Sequence, residues 1–325
     1  VVDGIIAGVG ILTFLPNIFF LFLALAFLED SGYMSRAAYV MDGLMGKVGL
    51  SGRAFIPMIL GFGCTVPALM ASRALENRKD RMKVMLVTPF MSCSARLPIY
   101  VLFSQMFFGK YAMLAAYSMY VLGLVIAVFV AWVLHLADRK NSEYNLLIEL
   151  PEYKAPSART IAIYVWEKVK DYLTKAGTTI FIASIVMWFI LNFGPGGFVT
   201  NISESFGSII GKGVVPVFRP LGLGYWQIVV ALIAGISAKE VVVSSCSVLF
   251  GIGNVTSAAG MGSLQELLGG VGFGALNAYC LMTFSLLYIP CIATLATIKR
   301  ESQSLKWTGS VSYTHLRAHE TSAHL

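Results

Sequence analysis

Three cysteines stand where apolar runs are broken. Cys64 follows Gly61-Phe62-Gly63 and precedes Pro67, Cys93 lies between Pro89 and Pro98, and Cys291 follows Pro290. Glycine permits non-helical angles and proline cannot donate a backbone hydrogen bond, so these runs read as interrupted helices. Backbone inside a bilayer must be hydrogen-bonded, and breaks are tolerated where they line a cavity. A broken helix frees carbonyls for a cation, while a half-helix N-terminus lowers a thiol pKa. Thiols with freed carbonyls and the neighbouring hydroxyls of Thr65 and Ser94 suit a borderline divalent transition metal. They suit Mg²⁺, Ca²⁺ or an organic solute less well. Cys246 and Cys280 sit at no break and read as small apolar filler, as do most of the fourteen methionines.

Charges inside apolar runs are the second signal. Lys239-Glu240 interrupts the run 228–250, and a charge within a span is functional unless it is a structural ion pair. Glu240 would add a carboxylate to the thiols. Arg96 lies in the Cys93 break, where it would neutralise a carboxylate or repel a cation, and so argues against a plain cation pore. Glu29, Asp30, Arg36 and Asp42 read as a structural cluster at a membrane edge. Three of the four histidines, His315, His319 and His324, fall in residues 309–325, where the composition changes abruptly. That stretch reads as a non-native tail rather than a metal site.

The elements that position these residues follow from composition. Of 325 residues, 57% are hydrophobic and 13% charged, against roughly 45–50% and about 25% in soluble proteins. Disordered chains, disulfide scaffolds and ordinary soluble enzymes are excluded, and an all-α polytopic membrane protein remains. Crossing the hydrocarbon takes about 20 apolar residues. The cleanest such run is 113–136. Others are 4–28, broken at Pro16-Asn17, then 54–72, 84–108, 178–193, 228–250 and 275–298. The net charge of +7 reads as basic loops on the cytoplasmic side, with no nucleic-acid partner. Loops 73–83 and 138–175 flank two spans and therefore share that side. Within the second, Ile161, Tyr164, Val165, Val169 and Tyr172 line one face of a helix expected at the membrane surface. Counting simple spans onward puts Lys299-Arg300 outside, against the rule, unless a later segment is re-entrant or the second half is inverted. A weak internal repeat is also visible: each half has a glycine-containing break followed by a proline-associated cysteine, a pattern that points to a transporter binding site.

At these motifs the chain resembles the membrane domain of the ferrous iron transport protein B family. The resemblance rests on GFGCTVPA at 61–68, PFMSCSARLPIY at 89–100, LEDSGYMSRAAYVMD at 28–42, AKEVVVSS at 238–245 and LYIPCIATLATIKRE at 287–301. It covers about residues 1–308. It implies two Gate regions with broken or re-entrant helices: 1–137 and a truncated 178–308. Between them lies a cytoplasmic loop with an interfacial helix, 138–177, and 309–325 is the tail. It further implies Fe²⁺ uptake across the bacterial inner membrane by a multi-pass permease, with Cys64, Cys93 and Cys291 on the iron path and no enzymatic role for this region. GTP and Mg²⁺ would enter only through an N-terminal GTPase domain, since no G-x-x-x-x-G-K-[ST] occurs in the chain. Implied partners are the bilayer, that GTPase domain, small cytoplasmic accessory proteins of the iron system and further copies of the same chain.

Two other readings compete. A nucleoside-like solute carrier fits the repeat and the broken helices, but not the thiols at the breaks or the scarcity of intramembrane Asn, Gln and acidic groups. An intramembrane enzyme with a cysteine nucleophile needs a base near a thiol. The one histidine outside the tail, His135, ends the cleanest span beside the basic loop.

Overall fold

The computed structural model describes residues 15–75, 77–137, 154, 156–174, 178–199, 204–252, 255, 257–270 and 272–322. The apolar run 4–14 and residues 138–153 of the polar stretch lie outside them.

The described chain is almost wholly helical. Helix α1 (Leu15–Asp30) includes Pro16 near the start of its described range. It leads through a left-handed Gly32 (φ 77°) into α2 (Tyr33–Lys47). The first broken pair is α3 (Phe55–Gly63) and α4 (Thr65–Ala71). Helix α5 (Arg78–Val87), capped by the Asn77 side chain, runs toward the Cys93 break. Helix α6 (Leu97–Phe108) continues beyond it, and α7 (Ala112–Ala137) returns. At about 1.5 Å per residue, α7 alone exceeds a hydrocarbon core of roughly 30 Å.

Next comes α8 (Ala158–Tyr172), the helix expected at the membrane surface. It lays Val165, Val169 and Tyr172 against Phe22, Leu25 and Ala26 of α1. Helix α9 (Thr178–Asn192) ends in a two-stranded hairpin, β1 (Phe193–Gly194) with β2 (Gly197–Phe198), antiparallel with Phe193 opposite Phe198. Helix α10 (Phe206–Phe218) precedes the second broken pair, α11 (Trp226–Ser237) and α12 (Val241–Leu249). Helices α13 (Ala258–Gly270), α14 (Ala275–Leu287), α15 (Ile292–Ser302) and α16 (Leu305–Ser322) complete the described chain. Helix α16 includes much of the abrupt tail, with Val311 and His315 buried and the His315 ring stacked on Phe90.

Among the described residues, two helical segments, Arg78–Leu136 and Ala275–Ser302, are long and apolar enough to cross a membrane. Large apolar side chains face outward, among them Phe20 and Phe27 on α1, Val125 and Phe129 on α7, and Ile182 and Phe189 on α9. In water such a surface would drive association; in lipid it costs nothing. The protein is a helical membrane protein.

The weak repeat in the sequence is an inverted repeat in space. The hinge residue between α3 and α4 is Cys64, at φ −149° and ψ 132°. Between α11 and α12 it is Ala238, at φ −152° and ψ 131°. Cys93, entering the turn that starts α6, has φ −74° and ψ 159°, and Cys291, entering α15, has φ −60° and ψ 155°. Each broken pair packs on itself, and the halves interlock reciprocally. Helix α4 of the first half packs along α15 of the second, while α12 of the second packs on α6 of the first.

The pairs open to opposite faces. Beyond α4, Arg73 hydrogen-bonds Glu301 at the end of α15 through Nε to Oε2 at 2.7 Å. The ends of α11 and α12 instead join a cluster with the end of α6, where Tyr225 and Phe107 both pack on Phe273 (ring centroids 5.7 and 5.4 Å). This corrects the span count. Lys299-Arg300 lies on the same side as the basic loop after α4, because α11–α12 folds back instead of crossing.

Candidate functional site

Each of the three thiols precedes a helical turn. Cys64 precedes α4, Cys93 precedes the 3-10 turn Ser94–Arg96 that opens α6, and Cys291 precedes α15. None of these positions has a side-chain cap, so the first N–H groups of the following turn face the sulfur region. The local sequence dictates this. Glycine at 61 and 63 lets α3 approach its neighbours: a Cβ at Gly61 would come 3.0 Å from Met91 Cβ. Pro98 lies in the first turn of α6, where its missing N–H costs no helical hydrogen bond, and Pro290 keeps α14 from continuing into Cys291.

The fold gathers the predicted residues around one region. Cys64 lies within electrostatic reach of Cys93, Cys291 and Glu240. Cys64 and Cys291 pack on the same apolar cluster, with Phe22, Val66 and Tyr172. The Cys93 turn is tied to the first hinge by Ser94, whose Oγ donates to the Gly63 carbonyl at 2.8 Å. The Cys291 sulfur lies 3.0 Å from Thr294 Oγ1. Thr65 is buried beside Cys64, while Cys64, Cys93, Cys291 and Glu240 remain partly open. Cys246 is buried in the other core, among Val242, Val243 and Leu232.

Three of the carbonyls at the breaks are already taken by basic side chains. Arg96, 2% exposed, donates from Nη1 to the Met91 carbonyl at 3.2 Å, and from Nη2 to that of Pro89 at 3.4 Å. Lys239, 3% exposed, donates from Nζ to the Ile289 carbonyl at 2.8 Å and lies 3.1 Å from the centroid of the Tyr288 ring. Met91 precedes Cys93 by two residues, as Ile289 precedes Cys291. In both halves a basic side chain therefore occupies the carbonyl just ahead of the thiol.

Tyr172 and Tyr288 were missed by sequence reasoning as site residues. Tyr172 of α8 reaches the neighbourhood of Cys64, Cys291 and Glu240. In the sequence it is one more apolar position on an amphipathic face, and nothing there marks it. Tyr288 might have been found, since it directly precedes the Ile289-Pro290-Cys291 break. Among the described residues, no group of three or more His, Cys, Asp or Glu side chains is preassembled to hold a metal ion. The arrangement brings sulfur, hydroxyl and carboxylate groups into one neighbourhood without forming a closed cage. His135 lies against Gly49 near the end of α7.

A family model described as nucleoside recognition, the Gate family, matches residues 11–107 and 173–305. A second, described as ferrous iron transport protein B C terminus, matches residues 116–168. The chain is 46% identical over 315 residues to "Fe(2+) transporter FeoB" of Staphylococcus aureus strain COL, covering 96% of this chain and 46% of that protein. It is 44% identical over 311 residues to the "Fe(2+) transporter FeoB" of Methanocaldococcus jannaschii, covering 92% and 45%. It is 38% identical over 350 residues to a "Fe(2+) transport protein A/Fe(2+) transporter FeoB fusion protein" of Porphyromonas gingivalis, covering 94% and 41%. The chain thus spans less than half the length of these relatives. No solved structure matches it significantly.

Proposed function

Because the chain belongs to the ferrous iron transport protein B family, whose Gate-containing membrane region it carries, we propose that it forms the multi-pass permease part of a GTP-dependent Fe²⁺ importer of the bacterial inner membrane. The observation that carries this reading is the convergence of Cys64, Cys93 and Cys291, each just before a helical turn, on one region beside Glu240. Fe²⁺ would pass between the sulfurs at the breaks, with Thr65 and Thr294 supplying hydroxyl oxygen. Incomplete coordination suits passage, because an ion held by a full ligand set leaves slowly.

GTP, with Mg²⁺, would act through a nucleotide-binding domain of the full-length protein. That domain, small accessory proteins of the iron system and a second copy of the chain are the proposed partners. The basic loop after α4 and the end of α15 would face the cytoplasm, as positive charge near spans prefers.

Uptake of radiolabelled Fe²⁺ by cells expressing the full-length protein tests the path. Cys64→Ser, Cys93→Ser and Cys291→Ser should each lower uptake by about tenfold, because hydroxyl replaces the softer ligand. Undiminished uptake in all three variants would sink the thiol path. A nucleoside that raises the melting temperature of the purified protein, where Fe²⁺ does not, would favour the carrier alternative.

A further inference from the structure

We propose that the outward face of α7 holds one acyl chain of an anionic phospholipid, whose headgroup is met by Lys47. The proposal rests on the placement of this chain in a membrane and is independent of the iron path.

Six apolar side chains line a groove of about 460 Å³: Leu124, Val125, Val128, Phe129 and Trp132 of α7, and Val48 just beyond α2. A volume of this size and an apolar lining are those of a small-molecule site. The five α7 positions recur at helical spacing and form one stripe. Ala127 and Ala131 turn the other way, into the core, so the stripe looks outward. From Leu124 to Trp132 it runs about 12 Å, most of one leaflet of a hydrocarbon core roughly 30 Å thick.

One end of the groove is overhung. Gly49 is packed against His135 near the end of α7, so Val48 stands at the Trp132 end and projects over α7 there. A helix of a second copy laid along α7 would run into that overhang. A lipid chain that starts at the membrane surface and points inward would not. Trp132 stands at the same end, where an indole suits the boundary between headgroups and hydrocarbon. Helix α2 presents Tyr39, Val40 and Leu44 outward, as a helix lying at that boundary does.

The residue at the head of the groove is positive. Lys47 directly precedes Val48, ends α2 and is exposed. The one acid of α2, Asp42, is spent on the Gly52 N–H at 2.7 Å. A lysine at this depth lays its stem along apolar surface and puts its ammonium among the headgroups. One such charge favours an anionic over a zwitterionic lipid by about fivefold.

Quenching by brominated chains tests this without iron or nucleotide. The full-length protein is reconstituted in phosphatidylcholine vesicles that contain a rising fraction of chain-brominated phosphatidylglycerol or chain-brominated phosphatidylcholine. In each variant the Trp132 signal is the difference left by adding Trp132→Phe. Brominated phosphatidylglycerol should reach half-quenching at about fivefold lower fraction than brominated phosphatidylcholine. Lys47→Gln should bring the two curves together, and Lys47→Arg should keep them apart. Val128→Phe, which fills the groove and leaves the charge, should move the phosphatidylglycerol curve to a severalfold higher fraction. Coincident curves in the unaltered protein would mean bulk lipid only and overturn the proposal. So would an unmoved curve in Val128→Phe, since charge alone would then act. Absence of quenching by either lipid would overturn it too, because protein, such as a second copy, would then cover the groove.

Discussion

Glu301 shows how much one side chain can fasten. It is 4% exposed, receives both arms of the Arg73 guanidinium, and its backbone carbonyl accepts from Arg81. One residue of α15 thereby holds both ends of the basic loop after α4. Arg73 is half exposed, so water and salt weaken the pair on that side. Arg73→Ala should cost about 2 kcal/mol, less than the range for fully buried pairs, because it strands a buried carboxylate. Arg73→Lys should recover only part of the loss, since the two-pronged contact is gone. Thermal unfolding in detergent checks both, and an unmoved melting temperature in Arg73→Ala would contradict the latch. The Glu301 hydrogen bond raises the Arg73 pKa above its ordinary value, outweighing the opposing effect of burial. A raised pKa means the stabilisation is complete below the ordinary guanidinium range and is lost only above it. The arginine side of the latch is therefore insensitive to pH near neutrality.

At the scale of elements, the hinges decide the site. At Gly235 an added Cβ would collide with Val242 and lie 2.6 Å from the Tyr288 hydroxyl. Gly235→Ala should destabilise by about 1–3 kcal/mol through forced repacking, and should disturb the Lys239–Tyr288 contact with it. Gly46→Ala on α2 meets nothing within 4 Å. It should be neutral or stabilise by about 0.5–1 kcal/mol, because glycine costs helix stability. Equal effects in the two melting curves would remove the argument.

The breaks at Cys64, Cys93 and Cys291 were legible in the sequence because glycine and proline punctuate helices by their own backbone chemistry. The second hinge was legible as a glycine-containing break beside Lys239-Glu240, but its pivot was not: Ala238 adopts the same angles as Cys64, yet alanine is the residue that most favours continuing a helix. Its hinge is imposed by tertiary packing of α11 on α12. The carbonyl clamps of Arg96 and Lys239 were unreadable for a similar reason. Their charges were visible, but a carbonyl partner carries no sequence signature. Tyr172 was visible only as part of an apolar stripe.

For the whole molecule the decisive fact is opposite insertion. Span counting failed at Lys299-Arg300 because it treats every apolar run as a crossing. Single cysteines placed at Lys79, Lys110 and Arg300, in a background without the native thiols, test this directly. Lys79→Cys and Arg300→Cys should be labelled by an impermeant reagent from one face of the membrane, and Lys110→Cys from the other. Labelling of Arg300→Cys together with Lys110→Cys would disprove the inverted arrangement.

Opposite insertion also has a thermodynamic side. Each half accepts from its partner the helix that it gives, α4 against α15 and α12 against α6. If the halves exchanged conformations, the molecule would open toward the other face with nearly the same set of contacts. Its two end states would then differ in free energy through the many residues at which the halves differ, Arg96 against Lys239 and Cys64 against Ala238 among them. A near-degenerate pair of states is tipped by little: about 5.5 kcal/mol turns a population of one in a hundred into ninety-nine. The positions where the two halves differ would set the direction of travel.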